Sequence, residues 1–244
     1  MNKLGKTPAR TDAVKFKLSH YLLTVATPKT YGHDKLINTW DMLGNDQYGD
    51  CVWAGAGHET MLWNKEADKN IVFDDKAVLS DYSAVTGFDP NDPSTDQGTD
   101  MQVAASYRRK TGVIDAQGHR HKVGAYLAIT PGSKDELKRA MYLFSNVAIG
   151  LQFPASAMQQ FNTDKNWTIV RSSKIIGGHY VPAVAYDSRY VHVVTWGQVV
   201  KASWGFILTY CDEALVYLSP EFLTAGKSPE GFDLASLNND LSQL

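Results

Sequence analysis

The hydrophobic pattern splits the chain into an earlier part that reads as helices and a later part that reads as strands. An apolar, helix-compatible run from Cys51 to Lys65 predicts the first long helix, although it contains Gly55 and Gly57. A glycine inside a helix costs about 1 kcal/mol, so two of them imply close packing against a neighbouring segment. Asp74 or Asp75 can cap a second helix that runs through Tyr82 to Val85 and stops at Gly87. A third is predicted from about Asp100 to Lys110, ending at Gly112. Ser133-Lys-Asp-Glu136 has the form of a capping box and opens a fourth, with Leu137, Ala140, Met141 and Phe144 on its apolar face.

Beyond this helix the texture changes. Val147 to Phe153, Trp167 to Val170, His179 to Ala185, Tyr190 to Trp196 and Ala214 to Leu218 read as strands, and Asp187-Ser-Arg189 as a hairpin turn. Helices followed by strands predict an α+β fold rather than alternating βαβ units. Residues up to about Lys35 read as an extended arm in which Val14, Phe16 and Leu18 alternate as in a strand. Phe88 to Gly98 is an Asp-, Asn- and Pro-rich loop. Its carboxylates suggest calcium, but Pro93 stands where an EF-hand needs an oxygen ligand, so a solvated turn is expected.

Composition adds exclusions. At 244 residues the chain can bury a large core, and a formal net charge of −2 gives no electrostatic case for nucleic acid or a membrane surface. The basic N-terminal residues Lys3, Lys6, Arg10, Lys15 and Lys17 read as a solvated tail. No apolar run is long enough to span a bilayer, and no apolar segment follows the first residues as in a secretory signal. The expected location is therefore a cytoplasm, or a virion. Two cysteines make no disulfide framework. Cys211, after Tyr210 in apolar surroundings, reads as a buried inert thiol. His119 and His121 flank Arg120 but lack a third ligand at metal spacing, and no metal or other cofactor is expected.

Candidate chemistry concentrates at Leu43-Gly-Asn-Asp-Gln-Tyr-Gly-Asp-Cys-Val-Trp-Ala54 and at Gly177-Gly-His179. A polar loop with two glycines delivers Cys51 to a helix N-terminus, where free N–H groups and the helix dipole favour thiolate. His179 follows two glycines at the start of an apolar strand and supplies the base that such a nucleophile needs. A helical lobe facing a sheet lobe would set the two on opposite walls of one cleft.

These segments resemble the papain superfamily. Asn45 to Ala54 is similar to its active-site segment, with Cys51, Trp53 and Ala54 as Cys-x-Trp-Ala, and the Asp50–Cys51 pair resembles the related bacteriocin-processing peptidases. Asp96 to Tyr107 with Gly112-Val-Ile114 is similar to the glycine–helix–tyrosine–glycine stretch. Gly178-His179 with Trp196-Gly197 and Trp204-Gly205 resembles the histidine strand and later Trp-Gly pairs. As a whole the chain is also similar to papain-like proteins of bacteriophage and prophage genomes.

The resemblance implies a two-lobe fold: an arm over 1–38, a papain-like domain over 39–219 (helical lobe about 39–115, antiparallel sheet lobe about 116–219) and a tail over 220–244. It implies a cysteine peptidase acting on protein or peptide, with Cys51 and His179 as nucleophile and base. The family's oxyanion glutamine falls by spacing on Asn45, with Gln47 two residues closer to the cysteine. Its histidine-orienting Asn or Asp is replaced by Thr195 when counted from His179, or by Val194 when counted from Trp196-Gly197. Only Thr195 has a hydroxyl, and strand neighbours face opposite ways, so one alignment alone can be right. The missing orienter leaves open a non-catalytic module with a structural or host-interaction role. Acyl transfer or amidase chemistry on the same pair is a third possibility. The stretch before the motif is too short for a separate inhibitory domain but long enough to occlude the cleft.

Overall fold

The computed structural model describes residues 2–10, 14–223 and 232–242. In order, these form β1 (Tyr31–Gly32), α1 (Cys51–Glu66), α2 (Asp75–Thr86), α3 (Met101–Lys110), β2 (Val113–Ile114), β3 (Arg120–His121), β4 (Ala125–Ile129) and α4 (Lys134–Phe144). There follow β5 (Val147–Pro154), α5 (Ala155–Phe161), β6 (Ile175–Tyr186), β7 (Tyr190–Thr195), β8 (Gln198–Ser203), α6 (Trp204–Tyr210), β9 (Cys211–Leu218) and α7 (Leu234–Leu241). The main sheet is antiparallel in the order β4-β9-β5-β6-β7-β8, with the short β1 added beside β6. The α+β expectation describes this arrangement.

The helices start where local chemistry says they should. Asp74 accepts the Ala77 N–H, Asp100 accepts those of Gln102 and Val103, and Ser133 accepts that of Glu136, each satisfying a free donor of the first turn. Gly87 ends α2 in the left-handed conformation.

Alternation along the strands buries both faces of the sheet. Ala148, Tyr180, Leu215 and Tyr217 point toward a core shared with α1, α2 and α3. Their neighbours Ile149, Val181, Ala214 and Val216 belong to a second core with α4, Trp167, Trp204 and Phe206. Burial on both faces makes β5 nearly continuous in apolar residues. Gly55 of α1 lies against the Tyr180 ring, which a Cβ there would overlap, so the helix seats tightly on β6.

Several expectations need correction. Trp167 to Val170 is not a strand: Trp167 makes one bridge to Ala202, and the next three residues are exposed. β4, β8, α5 and α6 lie in stretches the pattern left unassigned. Of the arm, Val14 and Leu18 are buried, but their stretch is no strand: it makes a single bridge, from Lys17 to Ala128, while Lys6 bridges to Thr99 and Gly178, Leu22 to Phe232, and β1 pairs with β6. Among the described residues no helix is long and apolar enough to cross a membrane.

Candidate active site

Cys51 opens α1 at the end of a loop braced from outside. Both oxygens of Asp96 accept the Gly49 N–H at 3.0 Å, and the same carboxylate accepts the Tyr82 hydroxyl at 2.7 Å. Asp96 therefore holds the approach to the cysteine and is no part of a solvated turn. Asn45 is buried, and its amide donates to the Tyr48 carbonyl at 3.0 Å and approaches the Asp50 carboxyl. Gln47 is exposed.

His179 sits on β6, wholly enclosed. Its Nε2 lies 2.7 Å from Thr195 Oγ1 on β7, while Nδ1 has no hydrogen-bond partner. Val194 points away, into a cluster with Trp40, Leu62 and Val184. The ring is stacked on Trp196 at 4.4 Å and 18°, with Phe153 edge-on at 5.2 Å. Trp196 and Gly197 both have positive φ in the two-residue β7–β8 turn, a backbone that sets the indole over the imidazole. The Cys51 sulfur lies within hydrogen-bond reach of the backbone N–H of Tyr180, the residue after His179. The structure thus joins His179 to Thr195 and sets Cys51 near the backbone of the residue after His179.

The N-terminal segment occupies this meeting point. Lys3 N–H bonds to Asn45 O, and Trp196 Nε1 donates to Lys3 O. The Gly5 N–H reaches the Cys51 sulfur, and the Gly5 carbonyl accepts from Thr99 N–H at 2.7 Å. Lys6 N–H bonds to Gly178 O and Thr7 N–H to Thr99 O, both at 3.1 Å. Residues 3–7 therefore form an extended strap between the Thr99 and Gly178 edges. What the strap offers the sulfur is an N–H, with the nearby carbonyl committed elsewhere. The solvated-tail expectation is corrected for Lys6, which is buried and ion-paired with Asp212 and Glu213.

Burial has reversed the expected electrostatics. Cys51 is 2% exposed, and desolvation pushes its thiol up to about 12, reinforced by Asp50, against the smaller help of the Tyr180 and Gly5 N–H groups. The anticipated helix-terminus thiolate is absent in this state. Desolvation alone takes His179 down to about 3. Cys211 behaves as expected, buried and pushed up to about 12 by desolvation. His121 is held between Asp115 at 3.1 Å and Glu221 at 3.2 Å. Among the described residues no cluster has the makings of a metal site.

No protein-family model matches the chain, and no curated protein sequence does. Solved structures do. Xylellain, a cysteine protease from Xylella fastidiosa, superposes with a TM-score of 0.68 at 14% identity, over 89% of this chain and 96% of the other. ProCathepsin B S9 from Trypanosoma congolense gives 0.65 at 12% identity, over 89% and 86%. The Carica candamarcensis cysteine protease CMS1MS2, in complex with E-64, gives 0.57 at 13%, over 79% and 99%. The fold is that of the papain-like cysteine proteases. At such identities the likeness establishes the papain-like fold and no more.

Sequence reasoning missed Asp96, Tyr82, Thr99 and Lys6. All four act through contacts between distant segments. The only signal was the local polarity of Asp96-Gln-Gly-Thr99, which looked like a solvent loop.

Buried neutral histidines should make the fold acid-sensitive. His58, bonded to the carbonyls of Trp40 and Asp41, is taken down to about 4 by desolvation, as His179 is to about 3. The unfolded chain protonates both rings near pH 6.5 and the native state does not. Their contribution is complete above that pH and drains as pH falls, by about 1.4 kcal/mol per pH unit for each ring. The raised Asp50 carboxyl works in the opposite sense and reduces the net slope. Urea denaturation between pH 6 and 4.5 should show stability falling with acid. In His58→Gln the slope should shrink by about 1.4 kcal/mol per unit; an unchanged slope would show that His58 is not held neutral.

Proposed function

We propose that the protein is a cysteine peptidase whose nucleophile and base are Cys51 and His179, held latent by its own N-terminal strap. The observation that carries this reading is the His179 environment. Nε2 is bonded to Thr195, Nδ1 has no partner, and the Cys51 sulfur approaches the backbone N–H of the next residue, Tyr180.

With the strap withdrawn, water reaches the pair and the desolvation that keeps both groups neutral is relieved. His179 takes the Cys51 proton, and the sulfur attacks the amide carbonyl carbon. The oxyanion is met by the Cys51 backbone N–H, with the Asn45 carboxamide as second donor once Lys3 releases its loop. His179 then passes the proton to the leaving amine, and a thioester remains. Water adds to the thioester, its proton going through His179 to the departing sulfur. Thr195 is the positioning group: its hydroxyl accepts the Nε2 proton and orients the ring, without the charge that a carboxylate would bring. The resemblance to phage and prophage papain-like proteins would make the substrate a host protein or a bacterial wall peptide.

The test uses the strap's tightest point. A Cβ at Gly5 would overlap the Gly49 carbonyl, backbone against backbone, so Gly5→Ala cannot keep the strap seated. Overpacking of this kind costs about 1–3 kcal/mol, so a thiol-directed peptide electrophile should modify Cys51 about 10- to 100-fold faster in Gly5→Ala than in the unaltered chain. The opened protein should also hydrolyse peptide substrates. Modification at the speed of an ordinary thiol in both proteins would leave a papain-like module without the chemistry.

A further inference from the structure

Asp50 stands at the N-cap of α1, where an aspartate ordinarily accepts an N–H of the first turn, yet its side chain caps nothing. The N–H groups of Trp53 and Ala54 bond its backbone carbonyl, at 2.7 and 3.0 Å. The carboxyl itself is turned into the preceding loop at 0% exposure, and neither oxygen has a full hydrogen bond. The donors that approach it are the Asn45 carboxamide and its own N–H. We propose that Asp50 is a positioning residue for the peptidase reaction, its carboxyl holding the Asn45 carboxamide in place as the second oxyanion donor. This rests on the peptidase reading above.

The loop is shaped around this carboxyl. Gly44 has a φ of 90°, and a Cβ there would come within 2.9 Å of Asp50 Oδ2 and 3.3 Å of Leu79 on α2. A glycine at that point leaves room for the acid. Asn45 Nδ2 carries two hydrogens. One goes to the Tyr48 carbonyl at 3.0 Å, and the other is left for Asp50. The Tyr48 bond ties the amide to its own loop, and the Asp50 contact ties it to the head of α1, beside Cys51.

The hold depends on whether the acid keeps its proton. Burial pushes the carboxyl well above its ordinary value, and the charges of Asp96, from the loop before α3, and Asp75, on α2, push the same way. Of the other titratable groups, Tyr82 faces it from α2 and Cys51 from α1. None of these four is a cation. A neutral acid is a weak acceptor, from which the amide hydrogen can pass to a developing oxyanion; a carboxylate would keep it. A carboxylate would also set a negative charge beside the thiol, which Asp50 already pushes up. The protonated form is therefore the working one, and turnover should fall on the alkaline side as that proton is lost.

The test is turnover of a fluorogenic peptide amide by the full chain opened with Gly5→Ala. Labelling of Cys51 by a peptide vinyl sulfone, which forms no tetrahedral oxyanion, is followed beside it. Asp50→Ala should lower kcat about 10²-fold, the weight of one oxyanion donor, and leave KM and the labelling rate within about threefold. Asp50→Asn, neutral and of the same shape, should keep kcat within about threefold and abolish the alkaline fall. In an Asn45→Ala background, Asp50→Ala should cost no more than about a further threefold. Turnover untouched by Asp50→Ala, or turnover and labelling falling together, overturns the proposal and leaves the peptidase intact. So does a loss that adds in full to that of Asn45→Ala, or an alkaline fall that persists in Asp50→Asn. The last comparison uses only the isosteric variant, so it decides the matter even where Asp50→Ala does not fold. No turnover by the opened chain, with labelling at the rate of a simple thiol, overturns both readings.

Discussion

In the opened Gly5→Ala protein, replacing His179 by alanine should lower the rate of Cys51 modification by about 10²- to 10⁴-fold, the usual weight of a positioned acid–base group. Burial holds the thiol up at about 12, so without a base the thiolate fraction near neutral pH is negligible. Opening the strap relieves some of that desolvation, but only an adjacent imidazole can take the proton at the moment of attack. Thr195→Val should cost less, about tenfold, because the ring remains clamped by Trp196 and Phe153 while its Nε2 loses its only partner. Thr195→Ser should restore most of the rate. A positioning role also predicts a displaced pH profile of labelling in Thr195→Val, which a packing defect alone would not produce. Labelling that is indifferent to His179 would mean that Cys51 is merely a thiol uncovered by mutation.

The parts of this site legible in the sequence are those set by short-range chemistry. Cys51 announces itself by the glycine-bearing polar loop running into an apolar helix, and His179 by the paired glycines before an apolar strand. The α+β order, the caps at Asp74, Asp100 and Ser133, and the Asp187 turn are likewise local, each fixed by a side chain reaching backbone two or three residues away. Thr195 was reachable only as one of two counts, because a one-residue slip exchanges the faces of a strand. Val194 packing with Trp40 and Leu62 shows which count the hairpin realises.

What local reading could not supply was the partner of each polar group. Lys6 looks solvated beside other lysines until Asp212 and Glu213, some two hundred residues later, are folded around it. Asp96 looks like a turn residue until Gly49 donates to it. The thiolate expected at the head of α1 presumed water at that helix end, and burial removes it. α5 and α6 are too short, at seven residues each, to show a helical period.

Beneath the site lies the interaction whose loss should cost the fold most. Glu59, two helical turns from Cys51, and Arg108 of α3 are fully buried and bonded at 2.6 Å. The Tyr180 hydroxyl donates to the other Glu59 oxygen at 2.9 Å, and the guanidinium lies 3.9 Å over the Tyr217 ring. Glu59→Leu should destabilise the protein by about 3–5 kcal/mol in urea denaturation, because it leaves a buried cation whose Nε and Nη2 already lack hydrogen-bond partners. Arg108→Met should cost a similar amount by stranding the carboxylate. The double variant should be far less damaged than the sum of the two, since with both charges gone only packing is lost. Additive losses would show that the pair contributes shape and no electrostatic coupling. The single variants should also slow Cys51 labelling in the opened protein even where they remain folded. Tyr180 is the link: its ring is fixed by Gly55 and Glu59, and its backbone N–H is the group that the Cys51 sulfur approaches.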